Sequence, residues 1–323
     1  MFSRWRKKIK MPEKNEKEKK NKFFTVLKVV IWLMVLSFFL SIFLSFFFNG
    51  DSESLNGNVA LIDISGPIIT GKDTSYLFED VTSSDDITKL IRKANENDNI
   101  KAIVFVINSP GGSAVASDEI AAEIKKVNKT TVAWVREIGT SGAYWIATST
   151  NHVIANRMSI TGSIGVIASY LEFSRFIQEH NVTYERLVSG KYKDLGSPFK
   201  ELTAEERAVF QKSLDRIHDY FVEEVANNRN LNKKDVDKMA TGAFYLGDEA
   251  KELGLVDELG SRDEVINYLQ KKLNEDISFV SYKKPTGFFA ALTQATNEKS
   301  FFVGKGIGSS LFGQTEKPIT IST

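Results

Sequence analysis

The chain has no cysteine, which excludes disulfides, thiolate nucleophiles and cysteine-ligated zinc together. A domain outside the cytoplasm built this way relies on its core, on oligomerisation or on both. Histidine is nearly as scarce: His152, His180 and His218 are the only three, so a histidine base would have to be one of them. HExxH, a Walker loop, GxGxxG and internal repeats are all missing, and with them the usual signatures of a zinc protease, a P-loop enzyme or a dinucleotide-binding domain. Net charge is also small, formally +1, but it is unevenly spread. Residues 1–28 hold 11 Lys and Arg against 3 acidic residues, leaving 31 basic and 38 acidic beyond them.

The apolar run next to this basic stretch decides its meaning. Residues 29–48, "VVIWLMVLSFFLSIFLSFFF", carry no charge, and as a helix twenty residues span the ~30 Å core of a bilayer. A signal-peptide apolar region is shorter and ends at a small-x-small cleavage site, whereas this run ends "FFFNGD". A buried core helix would need a polar face. The run is therefore read as an uncleaved anchor, not as the companion of a nucleic-acid arm. By the positive-inside rule, residues 1–28 stay in the cytoplasm, and everything beyond the linker 49–57 lies across the membrane, with Trp32 at the interface or facing lipid.

Residues 58–283 alternate strand and helix patterns. "VALIDISG" has strand character, Ile87, Leu90, Ile91 and Ala94 follow helix spacing behind Ser84, Asp85 and Asp86, and "KAIVFVINS" is a continuous apolar run suited to a strand buried on both faces. The pattern repeats: strands "TVAWV", "HVIAN" and "VTYERLVSG", helices over "AYWIATST" and residues 172–178, and glycine turns between them. This predicts an α/β fold of parallel βαβ units, with functional groups at the carboxyl ends of the strands. Three turns meet there, at residues 109–112, 139–142 and 162–165. Beyond them lies a long helix, opened by the capping box Thr203-x-x-Glu206 and carrying Phe210, Leu214, Ile217, Phe221 and Val225 on one stripe. Residues 284–323 have no steady period and are read as a tail or partner-binding arm.

"GTSGA" places Ser141 on a glycine turn between a strand and a helix. With "NSPGG" it supplies backbone N–H groups at two helix starts, as an oxyanion hole requires; each glycine pair taken alone is equally consistent with a tight turn. The base is harder to place. His152 is only eleven residues from the serine, His180 sits at a helix end and His218 lies inside the long helix as a structural or solvated residue. Ala143 also departs from the G-x-S-x-G elbow. Lysine is the other partner for a serine, and "SGKYKDLGSPF" offers Lys191 and Lys193. Two residues apart in extended chain, they point to one side, and spacing does not choose between them. A lysine base at neutral pH requires about 3 units of pKa depression, ~4 kcal/mol of differential desolvation, and predicts activity rising toward alkaline pH.

From about residue 59 to 260 the sequence resembles the signal peptide peptidase (SppA) family. The matching stretches are "VALIDISGPI", "INSPGGS", "GTSGAYWIA", "TGSIGVI", "SGKYKDLGSPF" and "GLVDELG", in family order. The resemblance implies a ClpP/crotonase-like fold of repeated ββα units behind one transmembrane helix, in a bacterial inner-membrane serine endopeptidase that degrades cleaved signal peptides. It maps the nucleophile onto Ser141, the general base onto Lys193, the oxyanion hole onto Gly112 and Gly142, and a lysine-orienting hydroxyl onto Ser163. Thr140 and Ala143 depart from the "ASGGYY" of many members without removing a reacting group. Longer members carry two copies of the fold, so a ring built from this chain implies homo-oligomerisation. No cofactor, metal or nucleic acid is implied; the partners are apolar peptides and the membrane. Two rivals share the fold: a crotonase-like acyl-CoA enzyme, which the extracytoplasmic placement disfavours, and a non-catalytic membrane scaffold.

Overall fold

A computed structural model describes residues 14–48, 57–71 and 81–283, with side chains over 22–41 within the first of these. The expected tail at 284–323 and the basic segment up to residue 13 lie outside the described residues. The chain forms two units, residues 1–55 and 56–323.

In the first unit, α1 runs Lys14–Phe48. It begins well before the apolar run because the Lys- and Glu-rich sequence ahead of it is made of good helix formers. Lys22–Ser41, with mean hydropathy 2.4, is long and apolar enough to cross a bilayer. Its side chains are exposed throughout.

The second unit is built on a mainly parallel sheet. In chain order its elements are β1 (Val59–Ser65), β2 (Ile68–Ile69), β3 (Thr82–Ser83), α2 (Ser84–Glu96), β4 (Ala102–Ser109), α3 (Ala114–Ile124), β5 (Thr130–Thr140), α4 (Gly142–Thr148), β6 (His152–Ala155) and β7 (Ile160–Gly162). Then come α5 (Ser174–Glu179), α6 (Ala204–Arg229), α7 (Lys233–Met239), β8 (Phe244–Leu246), α8 (Gly247–Glu252), β9 (Glu258–Leu259), α9 (Arg262–Leu273) and β10 (Phe279–Ser281). The strand order is β10-β1-β4-β5-β6-β9, parallel throughout, with β7 pairing β5 and an antiparallel β8 beyond it.

The continuous apolar strands are explained by burial on both faces. Ile103, Phe105 and Ile107 of β4 join the large core with α2, α3, α4 and α6, while Ala102 and Val104 pack with Val265 and Leu269 of α9. Between Ile107↔Val135 and Ser109↔Gly139 the register of β4 and β5 shifts. Extra residues in β5 bend it, so that its first half pairs β6 and its second half β7. The bend brings the end of β5, and the turn after it, beside the turn at the end of β4.

The expected strand at "VTYERLVSG" is not formed: residues 182–188 adopt no regular structure, pair with no strand among the described residues and are exposed. A strand needs a neighbouring edge to satisfy its N–H and C=O groups, and no described strand pairs with these residues. Its β-branched residues gave the pattern of a strand without supplying a partner.

Candidate active site

Ser141 stands between β5 and α4 with φ 54 and ψ −125, a conformation that costs a non-glycine residue about 1–3 kcal/mol. The surroundings fix it. Its N–H donates to the Gly162 carbonyl at 2.9 Å, and its own carbonyl accepts from Trp145 N–H at 3.0 Å. Although it occupies the N-cap of α4, its hydroxyl makes no capping bond and is left for chemistry.

The two glycine pairs abut. A Cβ on Gly111 would lie 2.7 Å from the Gly142 nitrogen, and one on Gly142 would lie 3.4 Å from the Gly112 nitrogen. Gly142 opens α4, so its N–H has no acceptor within the helix. The turn at 109–112 is pinned from beneath: Ser109 Oγ donates to the Gly66 carbonyl at 2.6 Å and accepts from Gly111 N–H at 3.1 Å. Ile68 N–H donates to the Gly111 carbonyl at 2.9 Å, and Ser113 N–H to the Ile68 carbonyl at 2.8 Å. The third turn holds Ser163 at φ 50; its N–H donates to the Ala243 carbonyl at 2.9 Å and its hydroxyl to the Gly242 carbonyl at 3.3 Å.

A cavity of about 780 Å³ brings Gly112, Ser141, Gly142 and Ser163 together, walled by Trp145, Leu214, Ile217, His218, Phe221 and the 240–242 turn. Lys193 is not brought to it. Among the described residues no lysine lines the cavity, and Lys191 and Lys193 are both exposed in the turns after the unpaired segment. Lys191 is tied to Glu205, and that carboxylate holds its ammonium above the ordinary lysine range.

The histidines divide. His152 stacks on Tyr268 with ring centroids 3.9 Å apart and lies 3.3 Å from Glu258, away from the serine. His180 is the C-cap of α5, with Nδ1 2.8 Å from the Phe176 carbonyl. His218 is half-buried and faces the serine's cavity, its Nε2 2.9 Å from the Ala240 carbonyl. The sequence marks it only as a structural or solvated helix residue. Of the α6 stripe, Leu214 and Ile217 are only half-buried and wall the cavity. The available signal was length: over its 26 residues α6 buries only Phe221, Val222, Val225 and Ala226 among its apolar side chains.

The arrangement defines a class: a parallel α/β protein whose strained serine and paired glycine N–H groups face one largely apolar cavity. Comparison with known proteins narrows it. The profile of peptidase family S49 matches residues 123–276. The chain is 31% identical over 281 residues to a putative signal peptide peptidase SppA of Enterococcus faecium, covering 82% of this chain and 80% of that protein. It is 32% identical over 229 residues to a putative protease of Methanocaldococcus jannaschii (69% and 72%), and 32% over 220 residues to Protease 4 of Haemophilus influenzae (67% and 35%). The chain belongs to peptidase family S49, which sets it among proteases and not among acyl-CoA enzymes.

Proposed function

We propose that this protein is a membrane-anchored serine endopeptidase that hydrolyses apolar peptides, chiefly signal peptides left after preprotein processing, with Ser141 as nucleophile and Lys193 as base. The observation that carries the reading is the Ser141 turn, whose hydroxyl makes no capping bond and which lines one cavity with Gly112 and Gly142. Trp145, Leu214, Ile217 and Phe221 give the cavity a wall suited to apolar side chains, and the name of the Enterococcus relative supports the substrate class. The apolar span of α1 supports an anchor that holds the enzyme where such substrates lie, its basic flank in the cytoplasm and the catalytic unit outside.

In this reading the lysine reaches Ser141 from a second copy of the chain. Support comes from apolar side chains left in water along the segment that leads to it: Ile167 and Leu187 are each 89% exposed and Leu171 is 73% exposed, apolar area of the kind that marks an interface. Lys193 Nζ takes the Oγ proton as Oγ attacks the peptide carbonyl. The N–H groups of Gly112 and Gly142 receive the oxyanion, and the Ser163 hydroxyl orients the amine. The C–N bond breaks, the proton passes to the leaving amine, and an acyl ester remains on Ser141. Water, deprotonated by Lys193, then cleaves the ester, releasing a carboxylic acid and restoring the serine hydroxyl.

Mixing variants tests this in the full chain with a signal-peptide substrate. Ser141→Ala and Lys193→Ala should each lose about a thousandfold or more in kcat, Lys191→Ala should keep most activity, and co-assembled Ser141→Ala and Lys193→Ala chains should regain part of it. Full activity in both single variants would sink the dyad. Failure of the mixed assembly to recover would place the lysine in the same chain.

A further inference from the structure

We infer that His218 is a positioning residue for the Ser141 site, acting through the carbonyl of Ala240; the inference rests on Ser141 being the nucleophile. A carbonyl oxygen only accepts, so the 2.9 Å contact with Ala240 requires the hydrogen on His218 Nε2. In the neutral ring this leaves Nδ1 bare.

Ala240 is the C-cap of α7, where the chain turns from the helix toward β8. The next three residues form the rear wall of the serine's turn. Gly242 N–H donates to the Ile164 carbonyl at 3.0 Å, the Ala243 carbonyl accepts from Ser163 N–H at 2.9 Å, and the Gly242 carbonyl accepts from Ser163 Oγ at 3.3 Å. One residue before Ser163, the Gly162 carbonyl accepts the N–H of Ser141 itself at 2.9 Å. A continuous chain of bonds therefore runs from His218 through the 240–243 turn and the 162–164 strip to the nucleophile.

His218 is one of a small set of restraints on that turn. Gly242 sits at φ 83 with nothing within 4 Å of a Cβ placed there. Beyond the bonds to the strip, Ala240 is bonded to Val236 and His218, the Met239 carbonyl accepts from Tyr245 Oη and from Thr241 N–H, each at 2.9 Å, and Thr241 Oγ1 accepts from Ala243 N–H at 3.4 Å. Ser141 and Ser163 both occupy positive φ, and such conformations persist only where neighbours over-determine them. On α6 the imidazole stands beside Ile217 and Phe221 on the wall opposite. Its ring fills the wall as a leucine would, and its N–H adds the restraint that a leucine lacks.

The test compares His218→Leu, which keeps apolar bulk without a donor, with His218→Gln, whose Nε2 reaches the same carbonyl, both in the full chain in detergent. We expect His218→Leu to lose about tenfold in kcat with KM within about twofold, the pattern of a displaced reacting group and not of lost substrate binding. His218→Gln should restore most of it. Wild-type kcat in His218→Leu would overturn the inference, and so would a His218→Gln as slow as His218→Leu, since the imidazole would then act by itself. Should the leucine variant fail to fold, nitrogen-15 histidine spectra of the wild type decide, with only three rings to resolve: a His218 carrying its hydrogen on Nδ1 alone overturns it. Ser141→Ala is the control, because activity surviving there would remove the nucleophile reading and leave the His218 tautomer standing as measured.

Discussion

Gly112 and Gly142 are both closed to side chains, but for different physical reasons. A Cβ at Gly112 would fall 2.1 Å from the Ile68 carbonyl oxygen and 2.6 Å from its nitrogen, rigid backbone on two sides. At Gly142 the obstacle is the Ser117 hydroxyl at 2.2 Å, with Ser117 Cβ at a less severe 3.3 Å. Overpacking of this kind costs about 1–3 kcal/mol and at times more. Gly112→Ala should therefore reach about 3 kcal/mol by chemical denaturation, with no neighbouring substitution to relieve it. Gly142→Ala should cost less, and adding Ser117→Ala should recover about 1 kcal/mol of that loss; a double variant no more stable than Gly142→Ala would place the strain elsewhere. These glycines were legible in the sequence because the demands of a tight turn after a buried strand are local. His218 was not, because its role depends on a carbonyl 22 residues away that only the packing of α6 against α7 brings to it.

At the scale of elements, the stretch from α5 to α6 is where sequence and structure part. Its Val, Tyr and Leu residues read as a strand, yet the chain there is held by charge instead of by a sheet. Arg186 pairs with Asp194 through two bonds, one of them 2.9 Å, and Lys200 reaches Asp194 at 3.6 Å and also Glu206. The Arg186 guanidinium holds the Asp194 carboxyl down at about 2. A depressed carboxyl stabilises above its unfolded value of ~3.9 and loses that contribution as pH falls through the folded value, so the tether is whole at neutral pH. Apolar side chains also stay in water there, Leu187 most of all. If that surface is covered by a second copy, Leu187→Asp forfeits the burial of one leucine, about 1.5–3 kcal/mol, or roughly a ten- to hundredfold weaker association. Sedimentation should show smaller particles, and the thermal midpoint of the separated chain should stay at the wild-type value because Leu187 is 89% exposed within it. Unchanged particle size would rule this face out as the interface.

For the molecule as a whole, the parallel sheet was legible and its margins were not. β1, β4, β5 and β6 announce themselves as apolar runs, but β9 and β10 have two and three residues and pair with strands far away in sequence, β10 with β1 from the opposite end of the fold. Nothing local marks such strands. The same long-range closure rests on an ion pair whose acid lies in "GLVDELG" and whose base, 28 residues earlier, nothing local marks. Arg229, the last residue of α6, donates to both carboxylate oxygens of Asp257 at 2.7 and 2.8 Å and to the Gly254 carbonyl at 3.0 Å. Asp257 also accepts the Val153 N–H of β6 at 2.7 Å, and nearby the buried Tyr144 hydroxyl donates to the Leu255 carbonyl at 2.8 Å. Helices α4 and α6, strand β6 and the turn after α8 are tied at one point. Arg229 is 7% exposed and Asp257 31%, so Asp257→Asn strands a buried guanidinium while a third of the replaced group still meets water. The expected loss is about 3 kcal/mol, the low end for breaking a buried pair, seen as a lower urea midpoint with unchanged slope. Burial alone would raise the Asp257 carboxyl, but the bonds from Arg229 and from Val153 N–H outweigh it and hold the group below its ordinary value. Its stabilisation is therefore complete above ~3.9 and declines as pH falls below that. The gap between wild type and Asp257→Asn should be full at pH 7 and narrow steadily below about pH 4. A gap that is constant with pH would mean that the charge of Asp257 contributes nothing and that only its shape is used.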